Sequence, residues 1–125
     1  MSLEALTTLR DRLQGAEKLD AALTDKVAPL IAQRTEKLGG SDVVSQRLLK
    51  STDSALQTIG VAFPDWDVDL QGSTIPVGEP EWKCEFRETR GDDEQLVGVG
   101  HGAGIRLSIL SAIVHLEIMR AQGYR

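Results

Sequence analysis

The sequence has little that would indicate a disulfide framework or a membrane protein. Its 125 residues include one cysteine, Cys84, and aromatic residues make up only 4%. A single cysteine cannot form an internal disulfide, which suits a reducing compartment. The chain contains no apolar run of the roughly 18 residues that a membrane-spanning helix needs, and its N-terminal stretch lacks the cationic-then-apolar pattern of a signal peptide. We therefore expect a cytoplasmic protein that does not enter a membrane.

An excess of positive charge is also missing. The formal net charge is -5, and residues 51–95 carry eleven Asp and Glu against three Lys and Arg. Such a segment repels phosphate groups. Double-stranded RNA-binding domains place several basic side chains at the start of a C-terminal helix, where this chain has only Arg106. We expect no nucleic-acid partner.

The composition is that of an ordinary globular protein. Apolar residues are 41% and charged residues 26%, so enough apolar surface is available to build a core. The length predicts one domain over residues 1–125, with a helical leader at 2–38 and an α/β core at 41–122.

Helical spacing of leucines begins near Ser2, which is a suitable N-cap. Gly15 and Pro29 interrupt the apolar pattern, so broken helices are expected in the leader. A further helix is predicted within 42–60, and it begins either at Ser51 or Thr52 or nearer to Ser41.

After residue 63 the apolar period changes from 3.6 to 2, which predicts strands with one buried face. Three strands are expected, separated by a loop at 72–80 and a turn at 90–93. The inward residues of the first are Trp66, Val68 and Leu70, those of the second are Trp82, Cys84 and Phe86, and the third strand is Leu96 to Val99. The fold class is therefore α+β: a small antiparallel sheet of about three strands sandwiched with helices, a helical N-terminal segment and a long C-terminal helix.

The C-terminal helix, at about Ile105 to Ala121, carries two apolar stripes on nearly opposite sides. One stripe is expected to cover the sheet. The second, formed by Leu107, Leu110, Val114 and Ile118, needs another cover, and the interrupted N-terminal helices are short. These stripes predict a homo-oligomer.

Three segments together resemble a known family. They are Leu49–Leu56 with its Ser-Thr-Asp helix start, Trp66-Asp67-Val68, and the glycine segment from Gly98 into Leu107–Ile113. They are similar to the phage α-β-α sandwich domain, a family of small phage and prophage proteins, over about residues 47–119. The resemblance implies a layered sandwich and a phage or prophage origin, hence the cytoplasm of a bacterial host cell. It implies no catalytic residue.

The glycine-rich segment Gly98–Gly104 is the main candidate site. Glycines allow a ligand to approach the backbone, and a helix that starts there attracts anions. It lacks the Lys-Ser/Thr pair of a Walker loop and the strand-helix-strand context of a dinucleotide site. Tight strand-to-helix packing is the alternative explanation. If a ligand binds, we expect it at Gly100, His101, Gly102, Gly104 and Arg106.

Other candidate residues have simpler explanations. His115 follows Ser108 and Ser111 on one helix face, but no orienting acid is indicated, so a satisfied, half-buried histidine is expected. The aspartates at 65, 67 and 69 and the acids at 92–94 do not fit a calcium loop. Cys84 is expected in the core, with no second cysteine or histidine at zinc-ligand spacing. We expect no metal and no cofactor.

These observations favour a phage or prophage accessory protein that acts by binding. It would serve in counter-defence, either sequestering a small anionic nucleotide-like ligand or blocking a host protein. The alternatives are a structural or assembly subunit without a ligand, and a small hydrolase that uses His101 with Asp92 or Asp93.

Overall fold

The computed structural model describes residues 1–72, 81–88 and 96–123. The expected loop at 72–80 beyond Gly72, the turn at 90–93 and the acids at 92–94 lie outside the described residues. The described elements, in chain order, are α1 (Leu3–Gly15), α2 (Ala21–Ala32), a short 3₁₀ helix (Glu36–Leu38), α3 (Ser41–Lys50), α4 (Thr52–Ala62), β1 (Trp66–Gly72), β2 (Trp82–Glu88), β3 (Val97–Gly102) and α5 (Ile105–Ala121).

This arrangement confirms the predicted α+β class, with its three-stranded antiparallel sheet, helical N-terminus and long C-terminal helix. No helix in the described ranges is both long enough and apolar enough to cross a membrane.

The elements group into two compact units. The first contains Met1–Lys18 together with Asp65–Arg125, and the second contains Leu19–Pro64. The predicted leader at 2–38 is therefore divided: α1 belongs with the sheet and α5, whereas α2 belongs with α3 and α4. The single-domain assignment itself stays a prediction.

In the first unit the strands lie in the order β1-β2-β3, and both pairings are antiparallel. The inward side chains of the central strand, Cys84 and Phe86, are fully buried. Trp66 stacks on Phe86 with 5.1 Å between ring centroids. The predicted period of two is therefore confirmed, because alternate residues of β2 face the core.

The glycines of β3 determine how closely α5 packs on the sheet. A Cβ on Gly98 would lie 2.4 Å from the carbonyl oxygen of Ala112, and a Cβ on Gly100 would lie 2.2 Å from the amide nitrogen of Ala112. A Cβ on Gly102 would lie 2.8 Å from the amide nitrogen of Ser108. Real Cβ atoms essentially never come within 3.0 Å of such neighbours, so any larger residue would push the helix away. The packing explanation of the glycine segment is therefore supported.

This close contact corrects one expectation about Gly98–Gly104. The third strand was expected to end at Val99, but β3 continues through Gly102. Glycine is depleted in strands because it offers no side chain to pack. Here the side chains of α5 fill that space instead, so the strand persists where its sequence gives no strand signal.

The second apolar stripe of α5 is buried in the single chain. Leu107, Leu110, Val114 and Ile118 are at most 5% exposed. Within the first unit α1 packs along α5 and also contacts β3, with Leu6, Leu9 and Leu13 as its buried side chains. The reason for expecting a homo-oligomer is thereby removed, and the oligomeric state stays a prediction.

Local capping sets the helix starts. The Ser2 hydroxyl accepts a hydrogen bond from the amide of Ala5 at 3.1 Å, as predicted for an N-cap. The predicted helix within 42–60 is two helices, and both proposed starts occur: α3 begins at Ser41, and Ser51 caps α4 by accepting from the Ser54 amide at 3.0 Å.

The second unit corrects the expectation for Pro29, which lies inside α2 without ending it. A proline ring removes one amide donor. The helix continues only to Ala32, and the carbonyl of Pro29 still accepts from the Gln33 amide at 3.1 Å. A buried hydrogen bond of 2.8 Å from Ser45 Oγ to Thr24 Oγ1 joins α3 to α2.

Candidate functional site

The structure separates the five predicted ligand residues into three environments. Gly100 and Gly102 face α5, and His101, which alternates with them along β3, faces the opposite side of the sheet. Gly104 is the N-cap of α5 and supplies no side-chain cap hydrogen bond. Arg106, in the first turn of α5, is half-buried and is not free of partners. The set is not brought together as one pocket.

His101 lies in a row of polar side chains across all three strands. It is the direct cross-strand partner of Lys83, and Lys83 is the partner of Gln71. Directly opposite residues of antiparallel strands place their Cβ atoms about 4.5–5.5 Å apart on the same face. We call this row, Gln71, Lys83 and His101, the polar row.

The polar row borders a shallow depression of about 320 Å³, completed by Gly72 and Glu81. The side chains of Lys83 and His101 are 42% and 44% exposed, so both reach solvent from this depression. A lysine ammonium, an amide and an imidazole all donate hydrogen bonds. Together they form a small region suited to accept an anionic group.

Two carboxylates limit the positive charge of the polar row. Glu81 Oε1 lies 3.4 Å from His101 Nδ1, and Glu85 Oε1 lies 3.6 Å from Lys83 Nζ. Glu85 also forms a shorter ion pair, 2.6 Å, with Arg87 at the other end of β2. Since Arg87 is the better partner of Glu85 by distance, Lys83 keeps more freedom to contact a ligand.

A second depression, of about 260 Å³, lies beside the start of α5. Gln14, Gly15, Ala16 and Glu17 line it from the end of α1, with Glu81, Gly102 and Ala103 on the other side. Its charged side chains, Glu17 and Glu81, are both acidic. This depression is therefore less suited to an anion than the polar row is, although it adjoins the helix start on which the sequence argument depended.

His115 is half-buried and satisfied, as the sequence predicted. Its Nδ1 atom accepts a hydrogen bond of 2.9 Å from the backbone amide of Val99. Burial lowers the pKa of the imidazole, and the nearby charge of Arg10 lowers that pKa further. With its acceptor nitrogen occupied, His115 is not positioned to activate Ser108 or Ser111.

The sequence argument missed what these serines do. The sequence placed Ser108 and Ser111 with His115 on one helix face. Both serines are fully buried, and their backbone lies against Gly100 of β3. Small side chains there permit the close contact between α5 and β3. The sequence signal for this contact was a glycine at every second position of β3, at 98, 100 and 102, followed by two serines one turn apart on α5.

The remaining candidates do not form a reactive centre in the described ranges. Cys84 is fully buried, and burial together with the charges of Asp69 and Glu85 raises the pKa of its thiol to about 12. The described residues hold no cluster of three or more His, Cys, Asp or Glu that could bind a metal ion. The aspartates Asp67 and Asp69 lie exposed on the same sheet face as the polar row.

Comparison with known proteins adds no further constraint: no protein-family model, no curated protein and no solved structure matches this chain. The similarity to the phage α-β-α sandwich family therefore stays a resemblance carried by the residues named above.

Proposed function

We propose that the protein acts by binding a small anionic, nucleotide-like ligand, and that the anionic group of this ligand contacts Lys83 and His101. One observation carries the proposal: the sheet register sets these two donors directly opposite each other, with Gln71 beside them, at the rim of a depression. A ligand phosphate would take a charge-assisted hydrogen bond from Lys83, which is shorter and stronger than a neutral one.

The chemistry of the chain favours binding over turnover. The Cys84 thiol is buried and stays protonated at neutral pH, so it is a poor nucleophile. His115 is occupied by the Val99 amide. The hydrolase alternative requires His101 with Asp92 or Asp93, and those two acids lie outside the described residues.

The biological setting of this proposal comes from the resemblance alone. A phage or prophage accessory protein that holds a nucleotide-like ligand in the bacterial cytoplasm would act in counter-defence by sequestering a host signal. Oligomerisation is not part of the proposal, because the stripe that suggested it is buried in the single chain.

A binding assay with matched variants tests the proposal. Inorganic phosphate, pyrophosphate and a panel of mono-, di- and cyclic nucleotides are titrated into the full chain by calorimetry and in thermal-shift experiments. A ligand at about 100 times its Kd raises the free energy of unfolding by about 2.7 kcal/mol. We expect Lys83→Gln and His101→Gln to weaken binding by about tenfold each, as for the loss of a hydrogen bond to a charged group.

Two further variants sharpen the result. Glu81→Gln removes the carboxylate beside His101 and is expected to strengthen binding. Arg12→Gln is the matched control, since it removes an exposed cation of α1 that is not part of the polar row, and it should leave affinity unchanged. The proposal is wrong if no anion of the panel binds, or if the Lys83 and His101 variants bind as the wild type does.

A further inference from the structure

The outer edge of β3 is partly closed by a side chain. The strand order β1-β2-β3 leaves β3 paired on one side only. The amide of Val99 points away from β2 and donates to Nδ1 of His115, 2.9 Å away on α5. An edge strand otherwise presents its free amides to solvent or to another strand.

This hydrogen bond requires a neutral imidazole. For Nδ1 to accept, it must carry a lone pair, so the single ring proton sits on Nε2. When a solvent proton adds to Nδ1, that lone pair is consumed and the nitrogen becomes a donor. Two donors then face each other, and the bond from Val99 cannot form.

The surroundings disfavour the charged ring. The positive charge of Arg10, on α1, disfavours protonation of the imidazole. Arg10 Nε is buried without a hydrogen bond in the described part of the chain. Asp11 stands 3.8 Å from that Nε atom and is exposed. On α5, Ser111 Oγ, one turn before His115, is also buried and has no hydrogen-bond partner among the described residues.

Three other titratable groups on α5 and β3 have partners of their own. Glu117 and Arg120 of α5 pair with each other at 3.1 Å. His101, two residues beyond Val99 on β3, lies 3.4 Å from Glu81. A protonated His115 would therefore face the positive charge of Arg10, and it would leave its place beside the strand.

We propose that His115 controls the outer edge of β3 in a pH-dependent way: the neutral ring accepts the hydrogen bond from the Val99 amide, and protonation of the ring breaks that bond. The released amide becomes accessible to solvent while β2 and β3 stay paired. This device is independent of the ligand proposed above, since neither His115 nor Val99 belongs to the polar row.

Nuclear magnetic resonance of the full chain tests the proposal. The ring nitrogens of His115 report its tautomer and its titration, and hydrogen exchange gives the protection factor of each amide. We expect the Nε2–H tautomer at neutral pH. The protection of Val99 should fall at least tenfold as His115 titrates, whereas the amide of Cys84 in the central strand stays protected.

Two variants distinguish the loss of this hydrogen bond from a general destabilisation of the fold by acid. His115→Asn keeps an acceptor near the Nδ1 position but does not titrate, so its Val99 protection should show no step with pH. Arg10→Gln removes the nearby positive charge, so the step should move to higher pH.

Three results would overturn the proposal. The first is a Val99 protection factor that does not change while His115 titrates in the wild type. The second is an Nδ1–H tautomer at neutral pH. The third is an equal loss of protection at Cys84, which would mean that the whole sheet opens. The wild-type titration decides the matter by itself if a variant does not fold.

Discussion

Replacing Gly100 by alanine should cost more stability than any ordinary surface change, because of where the new methyl group would go. A Cβ there would lie 2.2 Å from the Ala112 nitrogen, 2.3 Å from the Ser108 carbonyl oxygen and 2.8 Å from the Ser111 carbonyl carbon. Ordinary van der Waals contact begins at 3.4 Å. The helix must therefore retreat by about 1.2 Å, and since all three atoms are backbone, no side-chain rotation relieves the overlap.

The magnitude follows from core overpacking, which costs about 1–3 kcal/mol and occasionally more. We expect Gly100→Ala to lower the free energy of unfolding by about 3 kcal/mol, because a retreat of α5 loosens its contacts with β2 and β3 together. For a chain of this size that corresponds to a decrease of roughly 10 °C in Tm.

Urea denaturation followed by circular dichroism measures the effect, with two internal comparisons. Gly15→Ala, at the end of α1, is the control, since a Cβ there meets nothing within 4 Å. Gly102→Ala should cost less than Gly100→Ala, because its closest contact is 2.7 Å from the Leu107 side chain. A loss below about 1 kcal/mol for Gly100→Ala, or one equal to that of Gly15→Ala, would refute the reasoning.

Three further predictions concern single side chains. The pKa of His115 is lowered in the folded chain from its ordinary value of 6.5, so its contribution to stability is complete above about pH 6.5 and is lost as the pH falls through the folded-state pKa. Denaturation midpoints measured between pH 5 and 7.5 should therefore rise with pH, and they should rise less steeply in His115→Asn. Equal slopes for the two proteins would contradict this prediction. Native Cys84 should resist a thiol reagent and react only after unfolding in denaturant, because it is buried and protonated; rapid labelling of the native chain would show the packing to be wrong. Ser51→Ala should reduce the free energy of unfolding by about 1 kcal/mol through loss of the α4 cap, and an unchanged urea midpoint would contradict that role.

Sequence patterns predicted the elements whose signals are local. Alternation at Trp66, Val68 and Leu70 gave the first strand, and the long apolar periodicity gave α5 its bounds. Ser2 gave the first cap. These features depend on neighbours within a few residues, so no knowledge of tertiary contacts was needed.

The predictions that were wrong concern features that depend on their structural context. The predicted third strand ended at Val99, because Gly100–Gly102 has no intrinsic preference for a strand and extends β3 only where α5 packs closely against it. Pro29 was expected to break the helical leader, but it lies inside α2, where the loss of one donor near the helix end is tolerated.

The candidate site could be predicted only in part, for a similar reason. His101 was identified from the glycine segment, but its partner Lys83 was not, because their pairing depends on the register of β2 with β3. Strand register is fixed jointly by the alternation of apolar residues and by the geometry of the connection between the strands. The spacing of Lys83 and His101 in the sequence does not contain that information.

The order of the chain has a consequence for how the protein folds. The second unit is made of consecutive residues, Leu19–Pro64, whereas the first unit joins Met1–Lys18 to Asp65–Arg125. Contacts between distant segments require a large loop to close, which slows folding. During synthesis the leucines of α1, Leu6, Leu9 and Leu13, emerge from the ribosome long before α5 exists, and the second unit has time to form in between. The apolar face of α1 therefore gains its partner on α5 only after the intervening sequence has been made, and until then it is exposed to other apolar surfaces of the nascent chain.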